Sequence, residues 1–156
     1  MSLIIATGSN LGDKYENLKN AKLKLSQIFK LIEASDIFTS GAVEVSDQPD
    51  FYNQVLEFDL PDLDPDQTML RILEIEKSLG RIRSRRYGAR TIDIDIIFWG
   101  LRNISTKNLE VPHPKWSERS FVVKPLQQLP FFKEVEKCFT IVKSFEIDAK
   151  PIKRNL

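Results

Sequence analysis

The sequence predicts an α+β domain of order βαββαβ: an antiparallel sheet with helices mainly on one face, followed by a C-terminal extension. Three observations predict it. Strand patterns recur near residues 3–7, 32–40, 51–60 and 90–100: an apolar run in the first, and in the last two an alternation at the strand period of two. Helical spacing with start and stop signals fills the gaps after the first and third of these runs. No repeat, low-complexity run or linker divides the 156 residues, so they read as one domain over 1–156.

The elements follow in order. Leu3–Thr7 reads as a buried strand that ends in Gly8-Ser9-Asn10-Leu11-Gly12-Asp13, a turn-rich loop. Asp13, with Glu16 three residues on, is a helix N-cap with a capping-box partner, and Leu18, Ala21, Leu25, Ile28 and Phe29 mark the buried stripe behind it. Ile32–Ser40 is a candidate second strand, and residues 41–50 form a long irregular connection of the kind that carries function. In Phe51–Leu60, Gln54, Leu56 and Phe58 share one face and Asn53, Val55 and Glu57 the other. Asp64, Pro65 and Gln67 start a second helix; Met69, Leu70, Leu73, Glu76 and Leu79 give its face, and Gly80 stops it. After the fourth strand come a Val111-Pro112-His113-Pro114 segment and a helical patch over Ser117–Val123, which Pro125 limits. The tail alternates over Cys138–Phe145 and ends in a basic stretch expected to fray. This order is the ferredoxin-like split arrangement.

Composition narrows the function. Lys and Arg number 23 against 22 Asp and Glu, so no global charge steers the chain toward nucleic acid or a membrane. A single cysteine, Cys138, excludes an intramolecular disulfide and a multi-cysteine zinc site, and a single histidine, His113, leaves little for a transition-metal centre. The N-terminus runs straight into Leu3-Ile4-Ile5-Ala6, too short for a signal peptide, so the expected location is cytoplasmic.

The chemistry concentrates in Arg90–Gly100. Ile92, Ile94 and Ile96 fall on one face, and Thr91, Asp93 and Asp95 on the other. Same-face neighbours stand about 6.6–7 Å apart along a strand, so the two carboxylates project in parallel. Hard carboxylate oxygens suit magnesium, which takes one or two of them and completes its shell with phosphate and water. Arg81, Arg83, Arg85, Arg86 and Arg90 lie just upstream, a cluster fit for phosphate oxygens. Together they suggest phosphoryl transfer. The Asp pair alone would favour a half-solvated edge strand, and Glu76 by position alone a boundary residue of its helix.

Four collinear stretches resemble one family: GSNLGD at 8–13, DQPDFYN at 47–53, GRIRSRRYGARTIDIDIIFWG at 80–100 and VPHPKWSERSFVVKPL at 111–126. It is the 6-hydroxymethyl-7,8-dihydropterin pyrophosphokinase family of folate biosynthesis, and the resemblance covers roughly residues 3–129, leaving 130–156 as the extension. The resemblance implies a ferredoxin-like fold, ATP and the hydroxymethylpterin as substrates, AMP and the pterin diphosphate as products, and two magnesium ions. It implies Asp93 and Asp95 as metal ligands; Phe51 and Phe121 around the pterin, with Asn53 hydrogen-bonding it; and Arg83, Arg90, Arg119 and His113 at the nucleotide phosphates. Ile96 falls where the family's strand backbone meets adenine, and Glu76 near the nucleotide. Gly8-Ser9-Asn10 matches a motif close to the active centre. Ser40–Val45 departs from the pattern by lacking proline, Tyr87 stands where an indole is common, and Asn108 where some members place arginine.

The implied mechanism is in-line attack of the pterin hydroxyl on the β-phosphorus, with Asp93, Asp95, Arg83 and Arg90 as the catalytic set and no side-chain base. Residues 41–50 and 81–90 would serve as lids. Two rivals stand beside it. An RNA-binding ferredoxin-like module would need basic, aromatic-bearing central strands, where this chain is expected to show two aspartates on a central strand. A degenerate member would bind pterin or nucleotide without turnover. No nucleic-acid or membrane partner is expected; docking onto the next folate-pathway enzyme is left open.

Overall fold

The computed structural model describes residues 1–40, 50–80 and 91–152. The chain runs β1 (Ser2–Ser9), α1 (Lys14–Ser26), β2 (Leu31–Ala34), β3 (Phe38–Ser40), β4 (Phe51–Asp59), α2 (Pro65–Ser78) and β5 (Asp93–Trp99). A small hairpin of β6 (Ile104–Ser105) and β7 (Glu110–Val111) follows, then a 3-10 turn at Trp116–Glu118, α3 (Ser120–Leu126), α4 (Phe132–Cys138) and β8 (Lys150–Pro151). The main sheet is antiparallel, in the order β5-β1-β4-β3-β8, with β2 also on β4.

The start signals act as expected. Asp13 caps α1 by accepting from the Glu16 amide at 3.1 Å, and Asp64 caps α2 by accepting from the Asp66 and Gln67 amides, with Pro65 as the first helical residue. Gly80, at φ 89°, takes the left-handed conformation just past α2. Ile32–Ser40 forms two short strands, because Ala34 to Phe38 spans four steps where Leu56 to Asn53 spans three. The α2 stripe differs from the expected one. Thr68, Ile72, Ile75 and Glu76 are buried while Leu70 is 53% exposed, since it stands about 200° around the helix from Ile72.

Helices cover both faces of the sheet, not mainly one. Leu18, Ala21 and Leu25 of α1 and Ile72 and Ile75 of α2 pack with Leu3, Ile5, Leu56, Phe58, Ile92, Ile94 and Ile96. On the opposite face Ile4, Val55, Ile97 and Phe98 pack with Val122, Val123 and Leu126 of α3 and Val135 of α4. Central strands apolar on both faces need a cover on each side. A register shift between Ile4 and Ile5 leaves Ile97 as an extra residue, so Ile97 and Phe98 both join the second cluster while Trp99 returns to the first. Phe98 centres an aromatic group there, 5.1 Å from Trp116, 5.8 Å from Phe131 and 6.0 Å from Phe139 between ring centroids.

The C-terminal residues seal this second layer. Pro125 does not limit α3 but lies inside it, one residue before its end, where the missing amide removes only one bond. Cys138–Phe145 is not a strand: Cys138 ends α4, and Phe139, Ile141 and Phe145 pack onto the second cluster from irregular chain. The tail up to Ile152 is docked, and the basic end expected to fray lies beyond it, outside the described residues. Ser120 Oγ donates to the Ile147 carbonyl and accepts from the Ala149 amide, and the Ile152 amide donates to Ile37 at 2.9 Å. Glu57, buried on β4, accepts from Ser2 Oγ at 2.8 Å and from the Phe131 amide at 2.9 Å, which pins the entry of α4 to the sheet.

Glu57→Leu should therefore lower unfolding free energy by about 1–3 kcal/mol, because it strands two buried donors. Glu57→Gln, which keeps one carbonyl acceptor, should lose less. Urea unfolding measures both, and equal stability of Glu57→Leu and the parent would show that this tie contributes nothing.

Candidate active site

Four segments end at the same edge of the second face. β1 ends there, β4 and β5 begin there, and α3 begins beside them. Antiparallel pairing aligns residues across the sheet: Asp95 opposes Ala6, which opposes Val55, while Asp93 opposes Gly8, which opposes Asn53. Val55 and Ala6 belong to the α3/α4 layer, so Asp93 and Asp95 project on that side. Both are half-buried.

Among the described residues their strand is not central but outermost, paired with β1 on one edge. Its other edge is occupied by two specific contacts. The Ile94 amide donates to Glu76 Oε2 at 2.7 Å, and the His113 amide donates to the Ile97 carbonyl at 2.9 Å. Glu76 is 1% exposed, so the boundary-residue reading fails; it is a buried carboxylate that grips β5 between the two aspartates. The Ile96 side chain is buried in the first cluster, and strand parity turns its backbone the same way as that of Ile94. Only the main chain of Ile96 faces that outer edge.

Gly8 and Ser9 extend β1 and are not part of the turn, which begins at Asn10. The reason for glycine at position 8 is space. A Cβ there would stand 3.1 Å from Asn53 Oδ1 and 3.5 Å from Phe51 Cδ1. Asn53 is buried and donates through Nδ2 to Ser40 Oγ at 2.9 Å, which turns its Oδ1 toward Gly8. Ser40, buried beside it, was not identifiable from sequence; it carries no motif, and only its register opposite Phe51 brings it here.

Phe121 lies in the first turn of α3, half-buried against the aromatic group, with the Arg119 guanidinium 5.6 Å from its ring centroid. His113 lies close enough to Arg119 and Asp93 for both charges to act on it. Its pKa is lowered from 6.5 to about 4, first by burial and then by Arg119, with Asp93 pulling it upward and Lys115 adding a smaller push down. The imidazole is thus neutral near pH 7. The Lys115 amide donates to Nδ1 at 3.1 Å, so the proton resides on Nε2.

The structure thus groups Asp93, Asp95, Asn53, Phe51, Phe121, His113 and Arg119 on one sheet face, with Glu76 and the Ile96 backbone at its edge. Arg83 and Arg90, with the expected lids over 41–49 and 81–90, lie outside the described residues. Among the described residues no group of three or more His, Cys, Asp or Glu is set to hold a metal ion. Asp93 and Asp95 offer two hard oxygen donors, which fits a magnesium ion whose other ligands come from substrate phosphate and water. Among the described residues no helix is long and apolar enough to cross a membrane.

Comparison with known proteins gives the family. The family model for 7,8-dihydro-6-hydroxymethylpterin-pyrophosphokinase matches residues 4–130. The chain is 39% identical over 126 residues to the folic acid synthesis protein of Pneumocystis carinii, covering 80% of this chain and 17% of that protein. It is 37% identical over 128 residues to the mitochondrial folate synthesis bifunctional protein of Pisum sativum, covering 81% of this chain and 25% of that one. The 2-amino-4-hydroxy-6-hydroxymethyldihydropteridine pyrophosphokinase of Bacillus subtilis is 38% identical over 135 residues, 85% of this chain and 79% of that protein. The chain thus spans a quarter or less of the plant and fungal relatives but most of the bacterial one. With a family match over residues 4–130 and a bacterial relative 38% identical over most of both chains, the chain belongs to the 7,8-dihydro-6-hydroxymethylpterin-pyrophosphokinase family.

Proposed function

We propose that this chain transfers pyrophosphate from ATP to the hydroxymethyl oxygen of 6-hydroxymethyl-7,8-dihydropterin, giving AMP and the pterin diphosphate. The observation that carries the reading is the row Asp93–Gly8–Asn53, which sets a metal-competent carboxylate and a buried amide on one sheet face. In this reading the strand order β5-β1-β4-β2/β3 is the ferredoxin-like arrangement, with α3, α4 and β8 added to it.

The pterin lies against Phe51 and Phe121, whose rings stack on its faces. Asn53, its amide oriented by Ser40, bonds the ring edge, where donors and acceptors alternate. Asp93 and Asp95 would hold the magnesium, two ions in this reading, which would supply positive charge against the phosphates. Arg119 and the neutral Nε2–H of His113 face the phosphates, joined by Arg83 and Arg90. The nucleotide follows the outer edge of β5, where the Ile96 backbone meets the base and Glu76 fixes the strand. The hydroxyl oxygen then bonds to the β-phosphorus, the bond to the AMP oxygen breaks, and the hydroxyl proton passes to solvent. Positioning and fixed charge lower the barrier without a side-chain base. The reaction takes place in the cytoplasm with no nucleic-acid partner. Fusion to other folate enzymes, as the name of the Pisum sativum protein indicates, supports contact with a neighbouring enzyme of the pathway.

Incubation with ATP, magnesium and the reduced hydroxymethylpterin should yield AMP and pterin diphosphate in equal amounts; ADP as the nucleotide product would refute pyrophosphoryl transfer. Asp95→Asn should melt like the parent yet lose at least about 100-fold in kcat, on the scale of losing one charge-stabilising group. Near-normal turnover by the folded variant would remove Asp95 from the site. Phe121→Ala should raise the pterin KM more than the ATP KM, and equal increases would instead indicate core packing. Because the pKa of His113 is about 4, it stays neutral from pH 6 to 8, and kcat/KM should show no limb near 6.5 of its making. A limb there that disappears in His113→Gln would contradict the assigned state.

A further inference from the structure

Lys14 is the first residue of α1, a place where the helix dipole disfavours a cation. Two contacts offset that. Its ammonium donates to the Asp50 carbonyl at 3.1 Å and stands 4.4 Å from the centroid of the Tyr52 ring. Asp50 and Tyr52 are the immediate neighbours of Phe51. The strand ladder holds β4 from Phe51 onward, through Ser40 opposite Phe51 and Ser9 opposite Tyr52. Asp50 precedes the paired residues, and Lys14 binds the chain where the ladder does not.

We propose that Lys14 is a positioning residue for Phe51, fixing the chain on both sides of one wall of the pterin slot. The inference rests on the proposed function, which places the heterocycle against Phe51. Lys14 need not touch the substrate. Its ammonium sets the direction in which the chain enters β4, and hence the plane of the Phe51 ring against Gly8, whose missing Cβ leaves that ring 3.5 Å from the Cβ position. A long cation suits both contacts: an ammonium or a guanidinium donates to the carbonyl while its charge meets the aromatic face, and methionine can do neither.

The test compares Lys14→Met, Lys14→Arg, Phe51→Ala and the Lys14→Met/Phe51→Ala double variant, measuring KM for pterin and for ATP, kcat and the melting temperature of each. Lys14→Met should raise the pterin KM at least about fivefold, the lower end of the combined scale of one exposed cation–π contact and one hydrogen bond, with the ATP KM within about twofold. Lys14→Arg should restore most of the affinity. In the Phe51→Ala background the Lys14→Met effect should vanish, as coupling through one residue requires. An unchanged pterin KM in Lys14→Met, equal rises for both substrates, or full additivity in the double variant would overturn the proposal. An unchanged pterin KM in Phe51→Ala would instead overturn the placement of the pterin, and the proposal with it.

Discussion

The site depends on one buried hydrogen bond, from the Ile94 amide to Glu76 Oε2. β5 is the outermost strand of its sheet, so the outward amide of Ile94 would otherwise lack a partner at an edge packed against α2. Burying a carboxylate is costly unless it is well bonded. A charge-assisted bond at 2.7 Å supplies part of that offset and ties the last turns of α2 to the strand between Asp93 and Asp95. Side chains that project in parallel can act as a pair only while their backbone is held. Glu76 holds it from one flank, and β1 holds it from the other through Gly8 and Ala6.

The second face of the sheet changes character along its strands. At one end Ile4, Ile97 and Phe98 meet Trp116, Phe131 and α3 in an apolar layer. Toward the other end Val55 gives way to Asn53, Ala6 to Gly8, and the β5 positions to Asp95 and Asp93. The apolar end fixes α3 by burial, which in turn sets Phe121 and Arg119 at the polar end. The C-terminal extension supports the site through that layer and through β8, which pairs with β3 beside Ser40: Glu57 seats the entry of α4, and Ser120 fastens the tail to the start of α3. Loss of these ties would loosen the wall that carries Phe121 without touching a substrate.

Much of this was legible in the sequence, for local reasons. Asp13, Asp64, Pro65 and Gly80 mark helix ends by chemistry that acts within a few residues, and the period-two pattern of Ile92, Ile94 and Ile96 fixes the face of Asp93 and Asp95 by strand geometry alone. Features set by distant partners were not. That Gly8 makes room for Phe51 and Asn53, that Ser40 orients Asn53 and that Glu76 bonds Ile94 all depend on which strands lie side by side. The edge position of β5 and the second helical layer have the same origin. Strand order is a property of the assembled sheet, and alternation along one strand does not encode its neighbours. The α2 stripe differs from the expected one for a simpler reason: Thr68 packs inward despite its hydroxyl, because that group bonds the Asp64 carbonyl at 3.1 Å.

In the proposed reaction Asp93 and Asp95 together hold the divalent metal that engages the triphosphate. The most direct measurement is manganese uptake, read by electron paramagnetic resonance, in the presence of α,β-methylene-ATP and the hydroxymethylpterin. The parent protein should bind manganese with the nucleotide, and Asp93→Asn/Asp95→Asn should bind at least about tenfold more weakly while melting at the same temperature. Undiminished uptake by the folded double variant would place the cation elsewhere and contradict the account.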